Sequence, residues 1–178
     1  MIKFKNRIFY ISFFGIMLSL ACILYYLETL FLNPFSSLPG AKLGIANIIT
    51  LICVYWWSWK EGIIISALRV ILVNIILGGL FGLSFILSLT GGVISAILMG
   101  ILSMNKNLSI VFVSIIGAVS HNISQLIMIS FFIFHKSILF YLPFLIFFAL
   151  ITGTFNGVLG NFIIKRLTFI VGGDNEEK

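Results

Sequence analysis

The sequence contains six long apolar runs that are separated by short polar breaks. A helix needs about 20 apolar residues to cross the hydrocarbon core of a bilayer. The composition, 61% hydrophobic and 9% charged, lies far from the roughly 25% charged residues of soluble domains. Because lipid offers no hydrogen-bond partners and the runs are too long and too uniformly apolar for barrel strands, each run is expected to be a helix. The sequence therefore predicts an all-α, polytopic membrane protein with a bundle of six transmembrane helices.

The six spans are expected at about residues 8–30, 43–57, 63–77, 83–104, 110–134 and 138–164. They form one transmembrane domain over residues 1–167, and a short polar cytoplasmic tail follows over residues 168–178. Six spans place most of the positive residues on one side: Lys3, Lys5, Arg7, Lys60, Lys106, Lys165 and Arg166. The positive-inside rule then predicts a multi-pass cell-membrane protein with both termini in the cytoplasm. The net charge of +6 is read as this topology signal, and no nucleic-acid partner is expected.

The second span begins in an unusual way, with the stretch LPGAKLGIANIITL over residues 38–51. Pro39 and Gly40 end one element, and the next helix starts with Lys42 near its N-terminus and Asn47 further on. A helix N-terminus already carries partial positive charge, so a lysine there needs a carboxylate or an anion. Glu28, at the end of the first span, is the candidate carboxylate. Two alternatives follow: Lys42 pairs with Glu28, or it is the first positive group that an incoming anion meets.

The first span carries small residues at helical spacing. Ser12, Gly15, Ser19 and Cys22 fall on one face of the helix. Such a face permits close approach of another helix. It is therefore either a docking surface for a partner subunit, through Gly15, Ser19 and Cys22, or a surface for packing within the same bundle.

The third span contains Arg69, a charge in an otherwise apolar run. Charged residues in spans are rare and usually face the protein interior, because placing one at mid-membrane costs about 2.5–3.5 kcal/mol on insertion scales. We interpret Arg69 as a candidate site residue. The alternatives are a snorkelling side chain and a purely structural ion pair.

Polar residues are densest in the fifth span, where His121, Asn122 and Gln125 share one predicted face with small residues. Zinc would need two or three further ligands beside the histidine. The face is therefore expected to bind no metal and to make hydrogen bonds, either to a ligand or to other helices. A second small-and-polar stripe runs along the sixth span: Ala149, Thr152, Gly153, Asn156 and Gly160.

Four stretches of the chain, taken together, resemble one family of membrane proteins. They are PGAKLG with Asn47, Arg69, SLTGG over residues 88–92, and HNISQ over residues 121–125. This set looks like the Gx transporters, whose members are often labelled heptaprenyl diphosphate synthase component I. That family in turn resembles the substrate-binding S components of energy-coupling factor transporters. The resemblance implies a six-helix bundle with a substrate pocket near the outer face and a first helix that docks a transmembrane coupling subunit with its ATPases.

Catalysis by this chain itself is not expected. Prenyl transfer requires magnesium held by clustered carboxylates, whereas the chain has five acidic residues and no aspartate-rich motif in any span. A phosphate-binding GxxxxGK[ST] loop is also absent from the sequence. We therefore predict a protein that is not an enzyme and needs no cofactor.

Two functions remain as hypotheses. The first is a substrate-binding subunit that takes up a small anionic or polar solute from outside. Its predicted binding residues are Lys42, Asn47, Arg69, His121, Asn122, Gln125 and Asn156. The second is a non-catalytic membrane anchor for heptaprenyl diphosphate synthase or related quinone machinery.

Overall fold

The computed structural model describes residues 7–32, 44–133 and 140–172. These residues form six helices: α1 (Arg7–Leu32), α2 (Asn47–Trp56), α3 (Trp59–Ile76), α4 (Leu83–Ser103), α5 (Ile110–Ile133) and α6 (Leu142–Gly172). The described part of the chain contains no strand. The predicted all-helical fold is therefore confirmed.

Four of the helices are long and apolar enough to cross a membrane. The candidate spans are Arg7–Leu30, Leu83–Ser103, Ile110–Phe132 and Leu142–Phe169. Their outward faces carry many exposed apolar side chains, as expected for helices that face lipid. The bundle is that of a membrane protein.

The observed helices α2 and α3 differ from the predicted spans at their ends. Helix α2 begins at Asn47, four residues later than expected, and has only ten residues. Helix α3 begins at Trp59, four residues earlier than expected. The Ser58 side chain caps α3 by accepting a hydrogen bond from the Lys60 amide and by bonding to Glu61. This N-cap places Lys60 and Glu61, which lie between the two spans expected from the sequence, in the first turn of the helix.

Helix α2 forms the centre of the bundle. It packs against all five other helices, and every one of its residues except Tyr55 is buried. Ten helical residues span about 15 Å, roughly half of a hydrocarbon core. One end of α2 therefore lies inside the bundle.

The other helices pack around α2 in the order α1, α3, α4, α5 and α6. Among the described residues, α1 and α6 do not pack against each other, and α2 lies against both. Helix α6 continues to Gly172, so no helix end marks the expected domain boundary after residue 167. Residues 173–178 of the expected tail lie outside the described part of the chain.

Aromatic residues close the end of the bundle where α2 passes into α3. Trp56 and Trp57 are buried and pack against Phe13 of α1, with ring centroids 5.2 and 5.5 Å apart. Trp59 is 39% exposed. Tryptophans are enriched at membrane interfaces, so such a cluster is expected at the end of a span. The cluster does mark the end of α2, but two of its rings pack inside the bundle because α1 supplies aromatic partners.

Glycines allow α5 and α6 to pack closely. A Cβ atom on Gly153 would lie 2.7 Å from the Ile115 Cα, and one on Gly157 would lie 2.7 Å from the Val111 Cα. Small residues permit such backbone contact between membrane helices. The small-and-polar stripe of the sixth span therefore faces the bundle.

Replacing Gly153 with isoleucine should separate α5 from α6, because the obstructing atoms belong to the Ile115 backbone. We expect the free energy of unfolding to fall by about 1–3 kcal/mol, measured by thermal unfolding in detergent. Gly15→Ile on α1 is the control, since a Cβ there meets nothing within 4 Å. Equal losses from both substitutions would contradict the packing described for α6.

Candidate functional site

A polar cluster surrounds the N-terminus of α2 in the middle of the bundle. Residues near the middles of four helices reach it: Arg69 of α3, Ser95 of α4, His121 of α5 and Asn156 of α6. All four side chains are buried. A helix terminus at this depth has no water to satisfy its backbone groups, so side chains must do so.

Gly44 is the backbone centre of this cluster. Its amide donates a hydrogen bond of 2.5 Å to Oε1 of Glu28 on α1. Its carbonyl accepts hydrogen bonds of 3.0 Å from the backbone N–H of Asn47 and from Nδ2 of Asn156 on α6. The φ angle of Gly44 is +80°, in the left-handed region that favours glycine. Gly44 thus turns the chain into α2 and is bonded to both α1 and α6.

Asn47, the first residue of α2, links α3 to α4. Its Oδ1 accepts a hydrogen bond from Nη2 of Arg69, at 2.5 Å. Its Nδ2 donates a longer bond of 3.4 Å to the Ser95 hydroxyl. Arginine can only donate hydrogen bonds, so this amide has one possible orientation.

Two donor nitrogens of Arg69 have no acceptor among the described residues. The side chain is 2% exposed, and its Nε and Nη1 have no hydrogen-bond partner in the described part of the chain. Glu28 attracts the guanidinium electrostatically, although no hydrogen bond joins the two among the described residues. The Ser66 hydroxyl, one turn before Arg69, is also fully buried and has no partner there.

Beside the Glu28 carboxylate, this cluster contains two positive groups that can attract an anion. Leaving a buried charge incompletely paired costs several kcal/mol. The N-terminal end of α2 adds the partial positive charge of its helix dipole. An anion beside Nε and Nη1 would satisfy the guanidinium and interact favourably with the α2 dipole.

Two adjacent glycines bring α4 close to the cluster. A Cβ atom on Gly91 would lie 3.0 Å from the His121 ring and from Cγ of Gln125. A Cβ on Gly92 would lie 2.6 Å from Oγ of Ser66 and 3.6 Å from Nη2 of Arg69. The pair therefore lets α5 and α3 approach the α4 backbone from two sides.

The structure separates the polar residues of α5. His121 lies against Gly91 and near Gly44, and Gln125 lies against Gly91 one turn further along α5. Asn122 instead donates a 3.0 Å hydrogen bond to the Leu145 carbonyl of α6. A small crevice there is lined by Asn122 and apolar residues: Ile123, Leu126, Leu142, Leu145 and Ile146. The sequence placed these three polar residues on one face, but Asn122 points away from Arg69 toward α6.

The remaining predicted site residues are Lys42 and the small residues of α1. Lys42 lies outside the described residues, so both of its alternatives stay predictions. Gly15 and Ser19 are exposed on α1, and Cys22 is half-buried. Docking through this surface therefore stays a prediction, with Gly15 and Ser19 facing outward.

Sequence reasoning did not place Tyr25 or Asn74 near Arg69, and it considered Glu28 only as a partner for Lys42. Asn74 donates a 3.1 Å hydrogen bond to the Tyr25 hydroxyl of α1, and Tyr25 and Glu28 lie one turn apart on the buried side of α1. Their spacing from the buried Ala21 at helical intervals is the signal that could have found them. Ser95, in the fourth span, was not among the predicted site residues. In the described residues no group of three or more His, Cys, Asp or Glu side chains could hold a metal ion.

Replacing Asn47 with alanine should destabilise the fold, because Nη2 of Arg69 loses its acceptor. We expect the free energy of unfolding to fall by about 3 kcal/mol, measured by thermal unfolding in detergent. Asn47→Asp keeps an acceptor for Arg69 and should retain most of the stability. Asn107→Ala, at an exposed turn, is the control and should change little. A loss from Asn47→Ala no larger than from the control would show that the Arg69–Asn47 bond is unimportant.

Comparison with known proteins gives one match. Residues 17–163 match the family described as heptaprenyl diphosphate synthase component I. No curated protein and no solved structure matches the chain. The matched region runs from the first helix to the last and includes all of the cluster around Arg69, so the chain belongs to the heptaprenyl diphosphate synthase component I family.

Proposed function

We propose that this protein is the membrane-embedded substrate-binding subunit of an uptake system for a small anionic or polar solute. The observation that carries the proposal is Arg69, which is buried at the N-terminus of α2 with two donor nitrogens lacking acceptors in the described residues. A purely structural arginine is normally paired. The missing acceptor is best supplied by the solute.

Each side of the site has a distinct role in this proposal. Arg69, held by Asn47, binds the anionic group. His121 and Gln125, which line the α5 side against Gly91, bind polar parts of the solute. Lys42 is proposed as the first positive group that the solute meets. The chain itself catalyses no reaction.

The arrangement of the helix ends supports a cytoplasmic location for both termini. Tyr10 near the start of α1 packs against Trp57, and a Cβ on Gly100 near the end of α4 would meet Trp59. The start of α1, the turn from α2 to α3 and the end of α4 therefore share one end of the bundle. Lys60 and Lys106 belong to that end, which the positive-inside rule assigns to the cytoplasm.

Energy for uptake would come from a partner. The exposed Gly15 and Ser19 leave room on α1 for close approach of a helix from a coupling subunit. We propose that this surface docks such a subunit together with its ATPases.

A second candidate function rests on the family description, which names a component of a prenyl diphosphate synthase. In that role the chain would be a non-catalytic membrane anchor for a soluble synthase subunit. The polar cluster at Arg69 would then be structural. No solute would be needed to satisfy it.

Arg69→Gln should abolish stabilisation of the purified protein by anions. We expect at least one member of a panel of short carboxylates and phosphate monoesters to raise the midpoint of thermal unfolding of the wild-type protein. Arg166→Gln removes a charge that lies over the Phe162 ring on the outer surface of α6, and it should leave that stabilisation unchanged.

Co-expression with a soluble prenyl synthase subunit separates the two candidates. The uptake proposal predicts anion-dependent stabilisation and no stable complex with the synthase. If the synthase co-purifies in equal amount and no anion of the panel stabilises the protein, the uptake proposal is wrong and the anchoring role is supported.

A further inference from the structure

The hydrogen bonds of the site fix the orientations of two of its side-chain amides, those of Asn47 and Asn156. The Arg69 guanidinium can only donate, so Oδ1 of Asn47 must face it. The Gly44 carbonyl can only accept, so Nδ2 of Asn156 must face it, at 3.0 Å. The orientations therefore follow from the partners, without any need to observe hydrogen atoms.

The orientation of Asn156 leaves its Oδ1 turned away from Gly44. Asn156 is 2% exposed, and this oxygen has no hydrogen-bond donor in the described part of the chain. The large majority of buried side-chain polar atoms have a hydrogen-bond partner, so this exception calls for an explanation. On the α6 side of the site, Oδ1 of Asn156 thus has no hydrogen-bond donor among the described residues.

The unsatisfied groups on the two sides of the site are complementary. The carbonyl of Gly44 accepts hydrogen bonds from the side chain of Asn156 and from the backbone N–H of Asn47. The side chain of Asn47 in turn accepts a hydrogen bond from Arg69. The turn from Gly44 to Asn47 therefore connects the two sides. Within the described residues, Nε and Nη1 of Arg69 are donors without acceptors, and Oδ1 of Asn156 is an acceptor without a donor. A ligand that satisfies both sides must have an anionic group and a hydrogen-bond donor.

We propose that the solute is a small anion that also carries an O–H or N–H group, and that Asn156 selects for this group. The proposal rests on the proposed function, since it takes Arg69 as the anion-binding residue. It adds the chemistry of the second group. A simple anion without a donor leaves Oδ1 of Asn156 buried and unsatisfied, and so binds more weakly.

Asn122 provides a matched control. It also donates Nδ2 to a backbone carbonyl, that of Leu145, and its Oδ1 also has no partner among the described residues. It is as deeply buried as Asn156, at 1% exposure. However, it faces the apolar crevice between α5 and α6 and makes no bond to Gly44 or Asn47 in the described residues.

The test compares matched pairs of anions that differ by one hydroxyl group. The pairs are acetate and glycolate, propionate and lactate, butyrate and 3-hydroxybutyrate, and ethyl phosphate and 2-hydroxyethyl phosphate. Dissociation constants are measured by titration of thermal stability on the wild type, Asn156→Ala and Asn122→Ala. Asn156→Ser, which keeps a hydroxyl donor for Gly44 but loses the amide acceptor, is used if Asn156→Ala does not fold.

In the wild type, we expect the hydroxylated member of at least one pair to bind about tenfold more tightly than its partner. This ratio should fall to near one in the Asn156 variant and persist in Asn122→Ala. Equal binding of both members to the wild type, or a ratio that survives the Asn156 substitution, overturns the inference while leaving anion binding at Arg69 intact. Failure of every anion to bind the wild type instead refutes the proposed function, and the inference falls with it.

Discussion

A helix that begins inside a membrane bundle must find partners for the backbone groups of its first turn, because neither water nor lipid supplies them. Gly44 and Asn47 meet this requirement at the start of α2. Glu28 accepts the Gly44 amide, and Asn156 donates to its carbonyl. The central helix is thereby held by α1 and α6, which do not pack against each other among the described residues. Two buried polar side chains from different helices thus satisfy this one turn.

The same turn lies beside positive groups as well as the Glu28 carboxylate. The N-terminal end of α2 carries partial positive charge, and Arg69 reaches Asn47 from α3. In a soluble protein, water would satisfy the remaining guanidinium nitrogens. Here the side chain is buried with Nε and Nη1 unpartnered in the described residues. We propose that a structural requirement, the start of a short helix in the middle of the bundle, also provides the binding site for an anion.

Much of the fold could be predicted from the sequence, because hydrophobic runs determine which segments become membrane helices. The start of α2 could not, since an apolar run does not reveal how much of it lies in the middle of a bundle. Arg69 was identified as a site residue because a charge is costly in a membrane. Its bond to Asn47 and the role of Gly44 depend on tertiary packing. Asn122 was predicted to share a hydrogen-bonding face with His121 and Gln125, and for the same reason its bond to the Leu145 carbonyl could not be foreseen: helical periodicity groups neighbouring residues, but the position of α6 decides which helix each one contacts.

The central claim is that an anion binds the free nitrogens of Arg69. The chain has three arginines, Arg7, Arg69 and Arg166, so selective ¹⁵N labelling of arginine gives three side-chain Nε signals in an NMR spectrum. Arg69→Lys identifies the signal of Arg69. Titration with an anion that stabilises the protein should shift this signal and leave the other two in place. If the anion binds and the Arg69 signal does not move, Arg69 is not the binding residue and the account is wrong.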